Sequence, residues 1–268
     1  MIRLAAFDID NTLFSHATYT VPASAVTALD QLHRSGVTVV LSTGRPWFTV
    51  GAVLAQGVRP DYLMASDGHT VHDAAGRLLA ARFFDQGQME RLTAYCLARN
   101  FILYYKFLTM GCAYNRGADF AARYPILVQP GVYQDCPGRD YHQPGRMPTG
   151  ALVAMPRERA WEYGMTVDPT VRMVAFAPDS YDVTLADASK GTALAALMAE
   201  KGIAADQAIA FGDSANDIEL LRACGTKVAM GRCAPQLAAM ADYLTADIEQ
   251  DGLARGLAHY GLIPQSFN

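Results

Sequence analysis

No run of about 18 apolar residues occurs, so no stretch reads as a bilayer-spanning helix and no membrane partner is expected. No Lys/Arg run occurs either, and the net charge is −4. A basic track able to neutralise successive phosphates is therefore missing, and no nucleic-acid partner is expected. The five cysteines (Cys96, Cys112, Cys136, Cys224, Cys233) form no Cys-x-x-Cys pair, and their number is odd. A disulfide framework is not expected, and a reducing cytoplasm suits the chain better. The opening residues meet an acid at Asp8, too early for a secretory signal. Repeats and low-complexity segments are lacking. Global disorder is excluded by 51% hydrophobic against 18% charged residues. Lysine is scarce: only Lys106, Lys190, Lys201 and Lys227 occur among 22 basic residues.

What is present is a repeated strand–helix rhythm in 268 residues, enough for one large domain or two smaller ones. An apolar run at 2–7 stops at Asp8 and reads as a buried parallel strand. Pro22 opens a helix to about 35, which Gly36 closes. A strand at 37–41, a helix at 46–56 and a strand at 62–65 follow. This alternation predicts right-handed βαβ crossovers and a parallel sheet. After Asp67 the pattern changes to a hairpin (70–72 with 78–81). A helix at 85–99 and strands at 101–106, 112–115, 151–155, 172–177 and 181–185 follow. The stretch 117–150 is poorly patterned and broken by Pro125, Pro130, Gly131, Pro137, Gly138 and Pro144. From Ser189 the first rhythm returns, with helices at 192–201, 216–223 and 235–241 and strands at 208–211 and 227–229. The expected architecture is a doubly wound, mostly parallel, Rossmann-like α/β core. It is built from residues 1–81 and 188–268, with an α+β domain inserted at 82–187.

Four polar clusters lie where strands end, the end of an open α/β sheet at which ligands bind. Asp8-Ile9-Asp10-Asn11 carries two carboxylates at i and i+2, facing one way. Their repulsion is relieved by a shared proton or a cation, and magnesium suits hard oxygen ligands. Asp and Asn also suit an ordinary turn. Ser42-Thr43-Gly44-Arg45 offers a hydroxyl and backbone N–H groups to a phosphate oxygen, or a plain helix cap. Lys190, in Ser189-Lys190-Gly191, opposes the dipole of the helix it opens, unless an anion lies before it. Gly212-Asp213-Ser214-Ala215-Asn216-Asp217 adds two carboxylates in one short loop, which would also cap a helix.

In this order the clusters resemble those of the haloacid dehalogenase-like (HAD) superfamily, and within it the Cof-type phosphatases with a class IIB cap. The resemblance covers nearly the whole chain. It implies that Asp8 is the nucleophile forming an aspartyl-phosphate and that Asp10 is the acid/base. It implies that Thr43 and the Gly44 N–H bind the transferring phosphoryl group and that Lys190 balances charge. Asp8, the backbone carbonyl of Asp10, and Asp213 match the magnesium ligands. Asn216 and Asp217 match residues orienting phosphate, Lys190 or metal-bound water; the resemblance thus makes Thr43, Gly44, Arg45, Lys190 and Asn216 the phosphate-binding candidates and Asp8, Asp10, Asp213 and Asp217 the metal-ligand candidates. The acidic neighbourhood is expected to raise the pKa of Asp10. Asn11 stands where the family usually has glycine, and Asp67-Gly68-His69 where it commonly has Asn-Gly-Ala. This puts an acid and an imidazole near the site mouth.

The implied activity is magnesium-dependent hydrolysis of a small phosphorylated metabolite, a sugar phosphate or similar. A phosphomutase of the same fold and a non-catalytic phosphate-sensing module are the competing readings. Tyr104, Tyr105, Tyr114, Arg116, Arg139, His142 and Arg146 lie in the insertion. They suit either a substrate-covering surface or an ordinary one. Met64, Met155, Met165 and Met173 are expected to fill core gaps.

Overall fold

The computed structural model describes residues 1–264; the last four residues of the expected core segment lie outside the described residues. In chain order the strands are β1 (Leu4–Asp8), β2 (Thr38–Ser42), β3 (Tyr62–Ala65), β4 (Thr70–Asp73) and β5 (Leu78–Ala81). There follow β6 (Ile102–Lys106), β7 (Gly111–Asn115), β8 (Tyr133–Asp135), β9 (Gly150–Ala154), β10 (Val171–Ala177) and β11 (Ser180–Leu185). The last are β12 (Ala208–Gly212), β13 (Thr226–Ala229) and β14 (Tyr243–Leu244).

Eight of them form one sheet in the order β14-β13-β12-β1-β2-β3-β4-β5. Pairing from β14 to β3 is parallel, and β4 and β5 add an antiparallel hairpin. Both faces are covered, which is why the strands read as unbroken apolar runs. Ala5 and Phe7 of β1 face Leu29, Leu32 and Leu257, whereas Leu4 and Ala6 face Leu194 and Leu197. The Phe7 and Phe211 rings lie 5.1 Å apart between the two central strands. Helix Ala23–Arg34 follows Pro22 and is closed by Gly36 at φ +73°.

Four core elements differ from expectation. The helix expected over 46–56 is a 3₁₀ turn, Trp47–Thr49, and a short helix, Gly51–Leu54. Thr49 and Val50 are β-branched, and Gly51 is a poor helix former. The helix expected over 216–223 is likewise a 3₁₀ turn, Ala215–Asp217, followed by Ile218–Arg222. Beyond Ala241, β14 and the helix Gly252–His259 were not anticipated. The helix buries Leu253, Ala254 and Leu257 on the core.

The second sheet, order β10-β11-β9-β6-β7-β8, falls wholly between Arg82 and Asp187. It is antiparallel except for the β7–β8 pair. Alternation along β6 sends Leu103 and Tyr105 to one face, and Ile102 and Tyr104 to the other. The poorly patterned stretch 117–150 contains the helix Gly117–Arg123 as well as β8. Phe120 of that helix stacks on Tyr104 with centroids 4.2 Å apart, and Tyr133 of β8 stacks 5.7 Å from Phe120. The order there comes from two aromatic anchors rather than from periodicity. Tyr104, Tyr105 and Tyr114 are therefore core residues. Met165 is exposed rather than filling a gap, whereas Met64 and Met155 are buried.

The two crossings between the sheets meet at His69. Its Nδ1–H donates to the Ser66 carbonyl (2.7 Å), so Nε2 accepts from the Leu185 N–H (3.1 Å). Its own carbonyl accepts from the Arg82 N–H (2.8 Å), and Arg82 reaches the Asp187 carbonyl at 3.0 Å. Burial lowers the pKa of the ring to about 4 and keeps it neutral. The imidazole near the site mouth is thus a buried tie between core and insertion.

Candidate active site

The site lies beyond the carboxyl ends of β1, β2 and β12. β1 ends at Asp8, and Ile9 is buried in the core, where its carbonyl accepts the N–H of Leu13 (2.9 Å) and Phe14 (2.7 Å). The turn leaves Asp8 and Asp10 both facing the cavity. Asn11 adopts φ +55°, a geometry asparagine tolerates better than most residues.

Lys190 opens the helix Lys190–Glu200 behind a Ser189–Thr192 capping box. Its side chain is 1% exposed, and its Nζ donates to Asp8 Oδ1 and Asp217 Oδ1, both at 2.6 Å. The other Asp217 oxygen accepts the N–H groups of Asp213 and Ser214, both at 3.1 Å, and so shapes the loop after β12. Gly212 is required there, because a Cβ would lie 2.6 Å from that of Asp217. Asp213 accepts from Thr12 Oγ1 at 3.3 Å.

Asp8, Asp213 and Asp217 offer oxygens within 4.8 Å of one another around the single ammonium. Burial would lower the pKa of Lys190, but Asp217 and Asp8 outweigh it and hold the ammonium charged. Burial, and then the charge of Asp217, push Asp8 well above the usual carboxylate range and Asp213 up to about 7. Fully ionised, the trio would carry more negative charge than Lys190 balances, which, after burial, is what raises Asp8 and Asp213. That excess, on hard oxygen donors, fits a divalent cation. Asp8 and Asp213 are the better placed ligands, since both oxygens of Asp217 are already engaged.

Asp10 stands apart from the trio. Its carboxylate accepts from Arg45 Nε (2.9 Å) and Nη2, and from His16 Nε2 (2.6 Å). Burial would raise its pKa, but these hydrogen bonds and charges lower it strongly. The expectation of a raised Asp10 pKa is thereby corrected: the hydrogen bonds from His16 and Arg45 and the Arg45 charge, not the acids, dominate. Arg45 grips Asp10 instead of pointing its fork at the phosphate position. Thr43 is buried, accepts from the Arg45 N–H (3.1 Å), and keeps its hydroxyl proton to donate. Asn216 accepts from Ser214 (2.5 Å) and donates to Asp67 Oδ1 (3.4 Å).

A cavity of about 370 Å³ opens over these groups between the two sheets. From the core it is bordered by Asp8, Asp10, His16, Gly44, Arg45, Asp213 and Asn216, and from the insertion by Lys106, Tyr124, Leu127, Leu152, Phe176 and Asp182. Arg116, Arg139 and Arg146 are not among these residues. Arg116 pairs with Asp119 (2.8 Å), and Arg146 donates to the Tyr141 carbonyl (2.6 Å). His142 bonds Tyr114. Sequence reasoning passed over His16, Lys106 and Asp182. The scarcity of lysine and the position of Lys106 at a strand end were the available signal.

Lys106 fastens the insertion to the loop after β2: Nζ donates to the Gly44 carbonyl (2.7 Å) and to Asp182 Oδ1 (2.5 Å). A Cβ on Gly44 would lie 2.9 Å from Asp182 Oδ2 and 3.2 Å from Asp67 Oδ2, so glycine permits the approach. Asp67 Oδ2 is buried and receives no bond from an ordinary donor. A proton held by Asp182 supplies one. Burial first, and the Asp67 charge as well, raise Asp182 to about 7 despite Lys106. The folded state therefore favours protonated Asp182. This contribution is complete below the ordinary value of 3.8 and is lost as pH rises through about 7. Asp182→Asn, which imitates the protonated form, is expected to gain stability relative to wild type across that window. Thermal unfolding of the metal-free proteins at several pH values checks this, and parallel profiles would refute the shared proton.

A doubly wound sheet with buried carboxylates at its strand ends, roofed by a second sheet, defines an α/β enzyme of the HAD type. The chain belongs to the haloacid dehalogenase-like hydrolase family, whose sequence profile matches residues 5–257. It is 26% identical to the phosphatase YwpJ of Bacillus subtilis, over 96% of this chain and 99% of that protein. It is 25% identical to an HMP-PP phosphatase of Klebsiella pneumoniae, over 97% of this chain and 96% of the other. A solved HAD-superfamily phosphatase from Bacteroides thetaiotaomicron shares the fold with a TM-score of 0.86 at 23% identity, covering 98% and 96% of the two chains. Among the described residues, no helix is long and apolar enough to cross a membrane.

Proposed function

We propose that this hydrolase is a magnesium-dependent phosphatase of small phosphorylated metabolites, acting through an aspartyl-phosphate on Asp8. The observation that carries the reading is Lys190, buried between Asp8 and Asp217, with Asp213 beside them and excess negative charge on the trio. Phosphoryl transfer needs in-line positioning and neutralised oxygens more than any other device. Lys190 orients Asp8 Oδ1 and neutralises incoming phosphate oxygens. Thr43 Oγ1 and the Gly44 N–H are the donors nearest the loop that would receive them. Asp8 attacks phosphorus, the leaving alcohol takes a proton, and water then cleaves the acyl phosphate and releases inorganic phosphate.

A cation held by Asp8, Asp213 and the Asp10 backbone carbonyl would neutralise phosphate charge. The trio contains no His or Cys, so magnesium suits it better than zinc. As the carboxylate that His16 and Arg45 maintain, Asp10 is poised to take the proton of the attacking water. Its acid half-reaction requires that grip to loosen. Residues 82–187 act as a cap on the site, and five free cysteines, four of them buried, suit a reducing cytoplasm.

A colorimetric assay for phosphate release from a panel of metabolite phosphates, with and without magnesium, tests the activity. Arg45→Met is expected to raise the pKa of Asp10 and move the acidic limb of the pH–kcat profile to higher pH. An unmoved limb would show that Asp10 is not the titrating base. Asp10→Asn is expected to slow turnover by roughly 10²–10⁴-fold, the usual weight of acid–base catalysis. Full activity of Asp10→Asn on a substrate with a poor leaving group would refute the assignment.

A further inference from the structure

The core groups act on the phosphoryl end of any ester, so the cap side of the cavity selects the rest of the substrate. That side is apolar: Tyr124, Ile126, Leu127, Leu152 and Phe176 border it. Several of the polar side chains around it are already paired within the protein. Tyr124 donates its hydroxyl to Ser180 Oγ (2.8 Å). Lys106 is held by Gly44 and Asp182, Arg45 and His16 by Asp10, and Asn216 by Ser214 and Asp67. A ring bearing several hydroxyls would press them against hydrocarbon with few partners, and a buried polar group without a partner is disfavoured.

Phe176 gives the same indication from the opposite direction. It is the penultimate residue of β10, yet it is 40% exposed at the cavity edge. Its ring neighbours the tilted Tyr124 ring, with centroids 6.1 Å apart. A flat ring entering the cavity would cover it and gain both apolar burial and an aromatic contact. The volume of about 370 Å³ sits near the lower end of small-molecule sites, room for a phosphoryl group and one compact ring system.

We propose that the preferred substrate carries its phosphate on a flat, largely apolar ring system, such as an aromatic or heteroaromatic alcohol, rather than on a polyhydroxylated sugar. This rests on the phosphatase reading above. Phe176 and Leu152 are then the specificity-determining residues, through contact with the ring.

Benzyl phosphate and glucose 6-phosphate make a matched test. Both are primary alkyl esters on a six-membered ring, one flat and apolar, the other rich in hydroxyls. With magnesium, kcat/KM is expected to favour benzyl phosphate by about tenfold or more. Phe176→Ser, at an exposed position, is expected to reduce that ratio at least about threefold. Leu152→Thr, at the other wall residue, provides a second variant, with its fold checked by thermal unfolding. A wild-type ratio of one or below, or a ratio unmoved by both variants, would overturn the inference. Acetyl phosphate, which has no ring, separates the two levels of the argument. If it is cleaved while the ratio fails, only the substrate class falls. If none of the three phosphoryl compounds is cleaved, the phosphatase reading falls and takes this inference with it.

Discussion

Asp8→Asn is expected to lose turnover by about 10⁴-fold or more, the scale on which removing a covalent nucleophile acts. The amide keeps the shape of the carboxylate but not its nucleophilic charge. The same change is expected not to destabilise the metal-free protein. Asp8 is buried against Asp217 and near Asp213, and its pKa is raised well above normal, so its ionised form is unfavourable in the folded state. Replacing it with a neutral group relieves part of that repulsion at neutral pH. Steady-state phosphate release and thermal unfolding in excess chelator check the two halves together. Near wild-type hydrolysis by purified Asp8→Asn would refute the nucleophile assignment. A marked fall in unfolding temperature would refute the electrostatic account of the cluster.

Chelation is expected to abolish activity, and added magnesium to restore it. A cation that binds only the folded state also stabilises it, by about 2.7 kcal/mol at a hundred times its dissociation constant. Magnesium should therefore raise the unfolding temperature of wild type in the absence of any substrate. Asp213→Ala should show little such rise, because it removes a ligand of the site. The sign of the pH dependence follows from Asp213, whose pKa lies at about 7 before a cation binds. Protons compete with the cation, so apparent magnesium affinity should strengthen as pH rises through that value. Unfolding that ignores magnesium at every pH, or full activity in chelator with verified metal-free protein, would contradict the metal site.

The legible parts of this molecule were those in which a local pattern and a global constraint coincide. Strands β1, β2 and β12 are buried on both faces, so each is an apolar run, and each ends in a polar cluster of the site. Asp8, Lys190, Asp213 and Asp217 could be marked as candidates because a helix start or a strand end placed each of them. Their convergence on one ammonium could be placed only by the folded chain. Short helices were not legible: Gly117–Arg123 is fixed by Phe120 stacking on Tyr104, a contact between residues with no shared periodicity. The arginines of the insertion, open between a substrate-covering and an ordinary surface, could not be placed for a related reason. Charge in a sequence marks what prefers water, and Arg116 and Arg146 found partners nearby, away from the cavity. The residues that enter the cavity from the insertion are instead a buried lysine–aspartate pair and an apolar wall. Lys106 is 3% exposed, and its partner Asp182 lies 76 residues on. The grip of Arg45 and His16 on Asp10 was hidden as well. It reverses the pKa shift that the neighbouring acids alone would give.

The central claim is a covalent phosphoryl-enzyme on Asp8. Rapid acid quench of Asp10→Asn after mixing with magnesium and acetyl phosphate, followed by peptide mass spectrometry, tests it most directly. Loss of the base should slow hydrolysis of the intermediate more than its formation from so reactive a donor. One phosphoryl group is expected on the peptide carrying Asp8, labile to hydroxylamine and absent from the Asp8→Asn protein. Phosphate released by wild type while no quenched sample ever carries label on Asp8 would contradict the account.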